Sequence, residues 1–384
     1  MTLENQELPI SHSESNENKI SVENASFQPK KLELQFVGSA KEYFRIWIVN
    51  LCLSLVSLGI FSAWAKVRKK RFFYSHTLLD GTPFQYLGQP IPILKGRILA
   101  TLAFVIYYVS SHFYTASLLF VYIIGTVIAP WIIVASVGFN ARYSAFRNMT
   151  FQFNGKYQDA YIVISLWIGV VLLTLNWWIR YWWGMALILI LFFAIPRWIK
   201  EIKCFFIDNI SFGNNNGKLS ATSWQFYKIY LVAGLILIAG VILVYELIFW
   251  GILPFPQLKS PVNYFRLSPI SLIPIYFGYF LAYAYVQAHS SNILWNQTRL
   301  GPIRFQSTLA GTGMANLYFT NTVAIAMSLG LLIPWAVIRT LKYRIKNLQI
   351  HQEDYFTSFQ GNERKAINAM GSEISDFFNL DMSL

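Results

Sequence analysis

Asn50-x6-Ser57-Leu58-Gly59-x4-Trp64-Ala65-x2-Arg68 recurs toward the other end of the chain as Asn321-x6-Ser328-Leu329-Gly330-x4-Trp335-Ala336-x2-Arg339, without a gap and at a constant offset of 271. Across positions 46–68 and 317–339, seven of 23 residues are identical, and many of the rest are apolar in both copies. That exceeds what shared lipid-facing composition gives and reads as internal duplication. Gly59, Trp64 and Arg68, with Gly330, Trp335 and Arg339, are the fixed points of the repeated motif.

Around these copies the 384 residues are 55% hydrophobic, 17% aromatic and only 13% charged, with a mean hydropathy of +0.42. A helix needs roughly 20 apolar residues to cross a hydrocarbon core of about 30 Å. Eight runs approach that length, at 43–64, 98–116, 118–138, 161–177, 181–196, 229–252, 269–288 and 317–338. The expected fold class is an all-α multi-pass transmembrane bundle.

Residues 1–33 form a polar, acidic arm without the basic and apolar regions of a signal peptide. With few large apolar residues, the arm is expected to be disordered. Residues 34–348 make the membrane domain, and 349–384 an acidic polar tail. The net charge is +13, yet the arm to residue 35 carries −3 and the tail −4, which leaves +20 on residues 36–348. Basic residues beside membrane helices set orientation and meet anionic headgroups. Membrane lipids, not nucleic acid, are the expected partners.

Short polar stretches between the runs resemble one another. Phe36-x-Gly38 and Phe153-x-Gly155 each precede an acid, Glu42 or Asp159, near the start of an apolar run. Asp80-Gly81 and Asn154-Gly155 are favourable hairpin-turn dipeptides. The expectation is a set of short cytoplasmic β-hairpins that associate into a small sheet, because isolated hairpins are marginal in water. Connections at 66–97, 139–160, 197–228 and 289–316 carry seven, three, five and two Lys plus Arg, against none, one and two in the alternate connections. The positive-inside rule places the hairpin side and both termini in the cytoplasm.

Parity then matters. Eight full spans would put Arg68 inside and Arg339 outside, although the two copies end in similar basic clusters. Six spanning helices flanked by two re-entrant or broken segments, each with its break at the central Ser-Leu-Gly, remove the conflict. Eight full spans remain the alternative, supported by Trp47 and Trp64, which lie 17 residues apart, or roughly 25 Å along a helix.

The stretch Glu42-Tyr43-Phe44-x2-Trp47-Ile48-Val49-Asn50, Leu58-Gly59-Ile60-Phe61-Ser62-Ala63-Trp64-Ala65-Lys66-Val67-Arg68, Arg71-Phe72-Phe73-Tyr74 and Leu79-Asp80-Gly81-x2-Phe84-x-Tyr86 resembles the YjgN family of bacterial inner-membrane proteins. Leu329-Gly330-Leu331-x2-Pro334-Trp335-Ala336-x-Ile338-Arg339 is similar to that family's closing motif. The resemblance covers most of residues 36–345. It implies a multi-pass inner-membrane protein and brings no activity with it.

Candidate functional atoms follow from position. Asn50 and Asn321, with Ser57 and Ser328, are placed to line a pseudo-symmetric central polar site, or else to fix helix packing. Glu246 is the acid inside a strongly apolar run and is therefore a functional candidate, unless it reaches the interface from near the helix end. Lys66, Arg68, Lys69, Lys70, Arg71, Arg339, Lys342 and Arg344 are placed to bind lipid phosphate or to set topology. Cys52, Cys204 and five dispersed histidines show no metal or disulfide framework, and no cofactor motif is present. A transporter or channel-like protein for a small solute or lipid is the leading function class. The second is a membrane scaffold or lipid-binding protein that docks a cytoplasmic partner or a second copy of itself. An enzyme ranks last, because no nucleophile and base pair is visible.

Overall fold

In the computed structural model, which describes residues 30–113, 117–165, 183–252 and 273–353, short strands alternate with pairs of helices. β1 (Lys30–Leu32) and β2 (Leu34–Phe36) are separated only by Glu33. Four hairpins follow: β3 (Thr77–Leu79) with β4 (Thr82–Tyr86), β5 (Ser144–Phe146) with β6 (Met149–Phe153), β7 (Ile210–Phe212) with β8 (Asn215–Leu219), and β9 (Thr298–Leu300) with β10 (Ile303–Ser307). β11 (Leu348–Gln352) ends the described chain's regular structure. Each hairpin has a two-residue turn, and positive φ occurs at Asp80, Gly81, Arg147, Asn148, Gly213 and Gly301. Such backbone matches the right-handed twist of a tight hairpin.

Strands of three to five residues hold few ladder bonds, so their stability comes from assembly. All join one eleven-stranded antiparallel sheet in the order β1-β11-β10-β9-β8-β7-β6-β5-β4-β3-β2. Its two end strands are the consecutive β1 and β2, so the sheet is nearly closed on itself. At the seam, the Asp80 backbone N–H donates to the Glu33 carbonyl at 2.8 Å, and Lys30 pairs with the Asp80 carboxylate at 2.8 Å. Closure leaves little exposed edge. Leu32, Leu79, Phe146, Phe212, Ile303 and Ile350, drawn from strands all round the sheet, form one buried cluster. Register pairs Phe84 with Phe146 and Phe151 with Phe212, at ring separations of 4.8 and 4.7 Å.

Among the described residues, helices occupy every connection between hairpins. α1 (Ala40–Val56) and α2 (Ser62–His76) join β2 to β3, while α3 (Pro90–Phe113) and α4 (Ser117–Tyr143) lie between β4 and β5. α5 (Tyr157–Ala160) runs into a π-helical turn, Tyr161–Ser165, and α6 (Trp183–Asp208) returns to β7. α7 (Ser223–Phe249) and α8 (Ile273–Asn296) lie between β8 and β9; α9 (Gly311–Met327) and α10 (Ile333–Lys346) join β10 to β11. α1 opens on a capping box in which Ser39 and Glu42 satisfy each other's backbone N–H groups. Those bonds hold the Glu42 carboxyl below its ordinary pKa. The residues that end the strands leading into helices are buried where those helices begin. Phe36, Tyr86, Phe153 and Leu219 each anchor a separate cluster there, and Leu309 takes that part after β10.

Three of those aromatic anchors lie over a glycine two residues on. A Cβ on Gly38, Gly88 or Gly155 would sit 2.6, 2.5 or 2.5 Å from the ring of Phe36, Tyr86 or Phe153. After β8 and β10, where the anchor positions hold Leu219 and Ser307 instead, the corresponding residues are Ala221 and Leu309. These glycines therefore serve close approach to the aromatic rings. Asn154-Gly155 is not a hairpin turn: register pairs Ala145 with Thr150 and places the turn at Arg147–Asn148.

The all-α class is overturned by the eleven-stranded sheet. The count of membrane segments falls as well, both as six spans plus two re-entrant segments and as eight full spans. Among the described residues one helix, α7, is long and apolar enough to cross a membrane. Runs 43–64 and 317–338 break into helices of 17 and 15, and of 17 and 14 residues, each below the length of a span. Elsewhere charges stand inside the helices, with Lys95 and Arg97 in α3 and Arg197, Lys200 and Glu201 in α6, while α4 runs unbroken through Pro130. Most of run 161–177 and the start of 181–196 lie outside the described residues, as do 1–29 and 354–384 of the expected arm and tail. Lys30–Leu32 and Leu348–Gln352, which adjoin those tails, pair with each other as sheet strands.

Gly88→Ala is expected to lower stability by about 1–3 kcal/mol through overpacking against Tyr86. Gly234→Ala, where an added Cβ meets nothing within 4 Å, is expected to raise stability by up to about 1 kcal/mol through helix propensity. Thermal unfolding of the detergent-solubilised chain checks both, and equal effects would contradict the packing account.

Candidate functional site

The two copies of the repeated motif fold into helix hairpins of matching geometry. Each bends at Ser-Leu-Gly: Leu58 and Leu329 have φ of 50° and 51°, and Gly59 and Gly330 have φ of 89° and 91°. A backbone bond five residues back closes each first helix, from Gly59 to the Ser54 carbonyl at 2.7 Å and from Gly330 to the Ile325 carbonyl at 2.9 Å. This is the left-handed helix ending that glycine favours. The serine hydroxyls then brace the turn before the second helix, Ser57 Oγ accepting from Phe61 N–H at 2.9 Å and Ser328 Oγ from Leu332 N–H at 3.0 Å. Both serines are thus occupied in building the bend.

Asn50 and Asn321 are buried on the first helix of each hairpin. Arg68 donates to Asn50 Oδ1 at 3.3 Å, and Arg339 donates to Asn321 Oδ1 at 2.9 Å. Asn321 also donates to Thr340 Oγ1 at 3.0 Å and to the Ala336 carbonyl at 3.4 Å, while Arg339 reaches Thr320 Oγ1 at 2.6 Å. Each asparagine bonds within its own hairpin. Aromatic faces complete the arginine settings: Arg68 lies 5.8 Å from the Phe61 ring centroid and Arg339 lies 5.0 Å from that of Trp335. Trp64 stacks on Phe61 at 6.0 Å. Among the described residues, no carboxylate pairs with either arginine. Thr320 and Thr340 were not singled out from sequence. Their spacing of one residue before Asn321 and one after Arg339 was the available signal.

The basic cluster of α2 divides by helix face. Lys66 and Lys70 are buried; Lys70 donates to Asn140 Oδ1 at 2.9 Å and lies 5.5 Å from the Tyr86 ring centroid. Lys69 and Arg71 are exposed, with Arg71 donating to the Gly88 carbonyl at 3.2 Å. On α10, Lys342 is exposed and Arg344 donates to Tyr318 Oη at 3.0 Å. Burial raises the pKa of the Tyr318 phenol, against the lowering effect of Arg344. Glu246 is exposed on α7, three residues from the helix end at Phe249, and its backbone carbonyl accepts from Trp250. Among the described residues, no group of three or more His, Cys, Asp or Glu is arranged to hold a metal ion.

Comparison with known proteins adds a family. The model of a bacterial protein family of unknown function, DUF898, matches residues 31–377. The Inner membrane protein YjgN of Salmonella typhimurium strain LT2 is 36% identical over 77 residues, 20% of this chain and 19% of its own. The protein of that name from Escherichia coli K12 is 29% identical over 82 residues, 21% of this chain and 19% of its own. That from Escherichia coli O157:H7 is 37% identical over 51 residues, 13% of each. The matched stretch thus spans less than a fifth of the length of these curated relatives. No solved structure matches the chain.

Asn321→Ala strips partners from Arg339 and Thr340 and is expected to cost about 1–3 kcal/mol. Asn50→Ala removes one longer bond and is expected to cost below about 1 kcal/mol. Chemical denaturation of the two variants in the same detergent measures the ranking, which an equal loss would overturn.

Proposed function

Because the chain belongs to the DUF898 family of bacterial proteins, we propose that it is an integral inner-membrane protein whose closed sheet forms a cytoplasmic platform beneath lipid-facing helices. A single observation carries the membrane reading. Leu58 and Leu329 occupy left-handed backbone that disfavours any side chain by roughly 1–2 kcal/mol, and both are 94% exposed. In water a leucine there loses conformational energy and gains no burial. In hydrocarbon it gains the transfer free energy of its side chain. Leu55, Val56, Ile60, Met327 and Leu331 surround these bends and are exposed too.

The platform side is basic, with Lys69 and Arg71 exposed from the middle of α2 onward and Lys342 in the second half of α10, the halves that lead into the sheet. Lysine and arginine at that level face anionic headgroups on the cytoplasmic side. Scaffolding with lipid contact fits this arrangement better than solute transport. Asn50 and Asn321, the atoms proposed for a central site, have their bonds within separate hairpins. The middle of the sheet is filled by Leu32, Leu79, Phe146, Phe212, Ile303 and Ile350. No observation favours a solute path.

The chain is expected to stay in the pellet on alkaline carbonate extraction of bacterial membranes. With Cys52 and Cys204 replaced by serine, Asp80→Cys is expected to react with a membrane-impermeant maleimide only after the membrane is opened. Release into the carbonate supernatant overturns the integral reading, and labelling of the unopened outer face of the inner membrane overturns the orientation.

A further inference from the structure

A groove of about 700 Å³ runs between the start of α7 and the end of α8, close to the sheet. Trp224, Tyr227 and Tyr285 supply aromatic walls, and Lys228 and His289 are the charged or protonatable nitrogen groups in its lining. The lining contains no carboxylate. Lys228 Nζ lies 5.8 Å from the Trp224 ring centroid, and the His289 ring packs 4.2 Å from that of Tyr285. Neither Lys228 nor His289 has a hydrogen-bond partner for its side chain among the described residues. Asn292 and Asn296, by contrast, are engaged by Ser307 and Leu309 and form the fixed floor. The groove is therefore a cationic, aromatic recess with unspent donors.

Its upper end continues onto an apolar track. Leu231 lines the groove, and Leu235, Ile238, Ile242, Tyr245 and Phe249 follow it at steps of four and three residues along α7, all more than half exposed. That spacing keeps them on one helix face. α7 has 27 residues, about 40 Å of helix, and is the described helix apolar enough to cross a bilayer. Trp224 and Lys228 in its first turns then lie at headgroup level, where tryptophan and lysine anchor helices.

We infer that this groove binds one phospholipid, with the headgroup phosphate on Lys228 between Trp224 and His289 and an acyl chain along the Leu231–Phe249 face. The complementarity is twofold: an ammonium with no competing acid for the phosphate, and an exposed apolar stripe that begins at the same point for the chain. A free phosphate uses only the first. The inference rests on α7 being embedded in the membrane.

Native mass spectrometry of the full chain in detergent, titrated with short-chain phosphatidylglycerol, tests it. Binding is expected to weaken about tenfold in Lys228→Gln, the scale of a lost charge-assisted bond, and to recover in Lys228→Arg. Lys228 is exposed, so the substitution leaves the fold intact, as an unchanged thermal midpoint verifies. Glycerol phosphate and inorganic phosphate are expected not to compete. Undiminished binding in Lys228→Gln overturns the site, and competition by inorganic phosphate overturns the lipid as its ligand. Undiminished binding in Lys228→Gln in a chain that stays in the carbonate pellet removes the groove site and leaves the integral-membrane reading standing, whereas release by carbonate removes both.

Discussion

Closure of the sheet through residues 30–36 is the constraint on which the remaining architecture depends. β1 pairs with β11 and β2 with β3, so one seven-residue segment ties the last strand to the first hairpin. Strands of three to five residues would be marginal alone. Joined in a ring, they bury a shared cluster and leave few unpaired backbone groups. The cost is contact between residues more than 300 positions apart, as in Leu32 with Ile350, which must wait for all the intervening hairpins.

The ring also dictates how helices are arranged. Every helix pair with both connections described leaves from one strand and returns to the sheet at a neighbouring one, so helix packing is local to the rim. Aromatic anchors at Phe36, Tyr86 and Phe153 seat the helix starts, and glycines two residues later make room for their rings. Higher up, α7 and α8 approach through Gly240 and Gly278, where an added Cβ on Gly240 would lie 3.6 Å from the Gly278 Cα. Small residues at such a crossing let helices pack without bulky side chains. The Asn–Arg bonds of the two bent hairpins provide the corresponding polar lock for α1 with α2 and α9 with α10.

Several features were legible from the chain, each for a stated reason. Asp80-Gly81 announced its turn because both residues tolerate positive φ. Ser-Leu-Gly announced a helix break because glycine ends helices in left-handed backbone. A hairpin around Asn148–Phe151 was legible, but not its turn at Arg147–Asn148, since arginine is a poor turn signal and the neighbouring Asn154-Gly155 is a stronger one. Lys228 and His289 escaped too, because they lie 61 positions apart and share no motif.

By itself the sequence determined the apolar character of the chain, the two matched bends at Ser57–Gly59 and Ser328–Gly330, and the hairpin-forming character of the links. These depend on local backbone preference and on composition, which neighbours in sequence suffice to set. Tertiary structure alone decided that the hairpins assemble into one nearly closed sheet and that Asn50 and Asn321 bond within separate hairpins. The physical reason is that strand pairing and buried hydrogen bonds are chosen between distant residues, where register and burial outweigh local pattern.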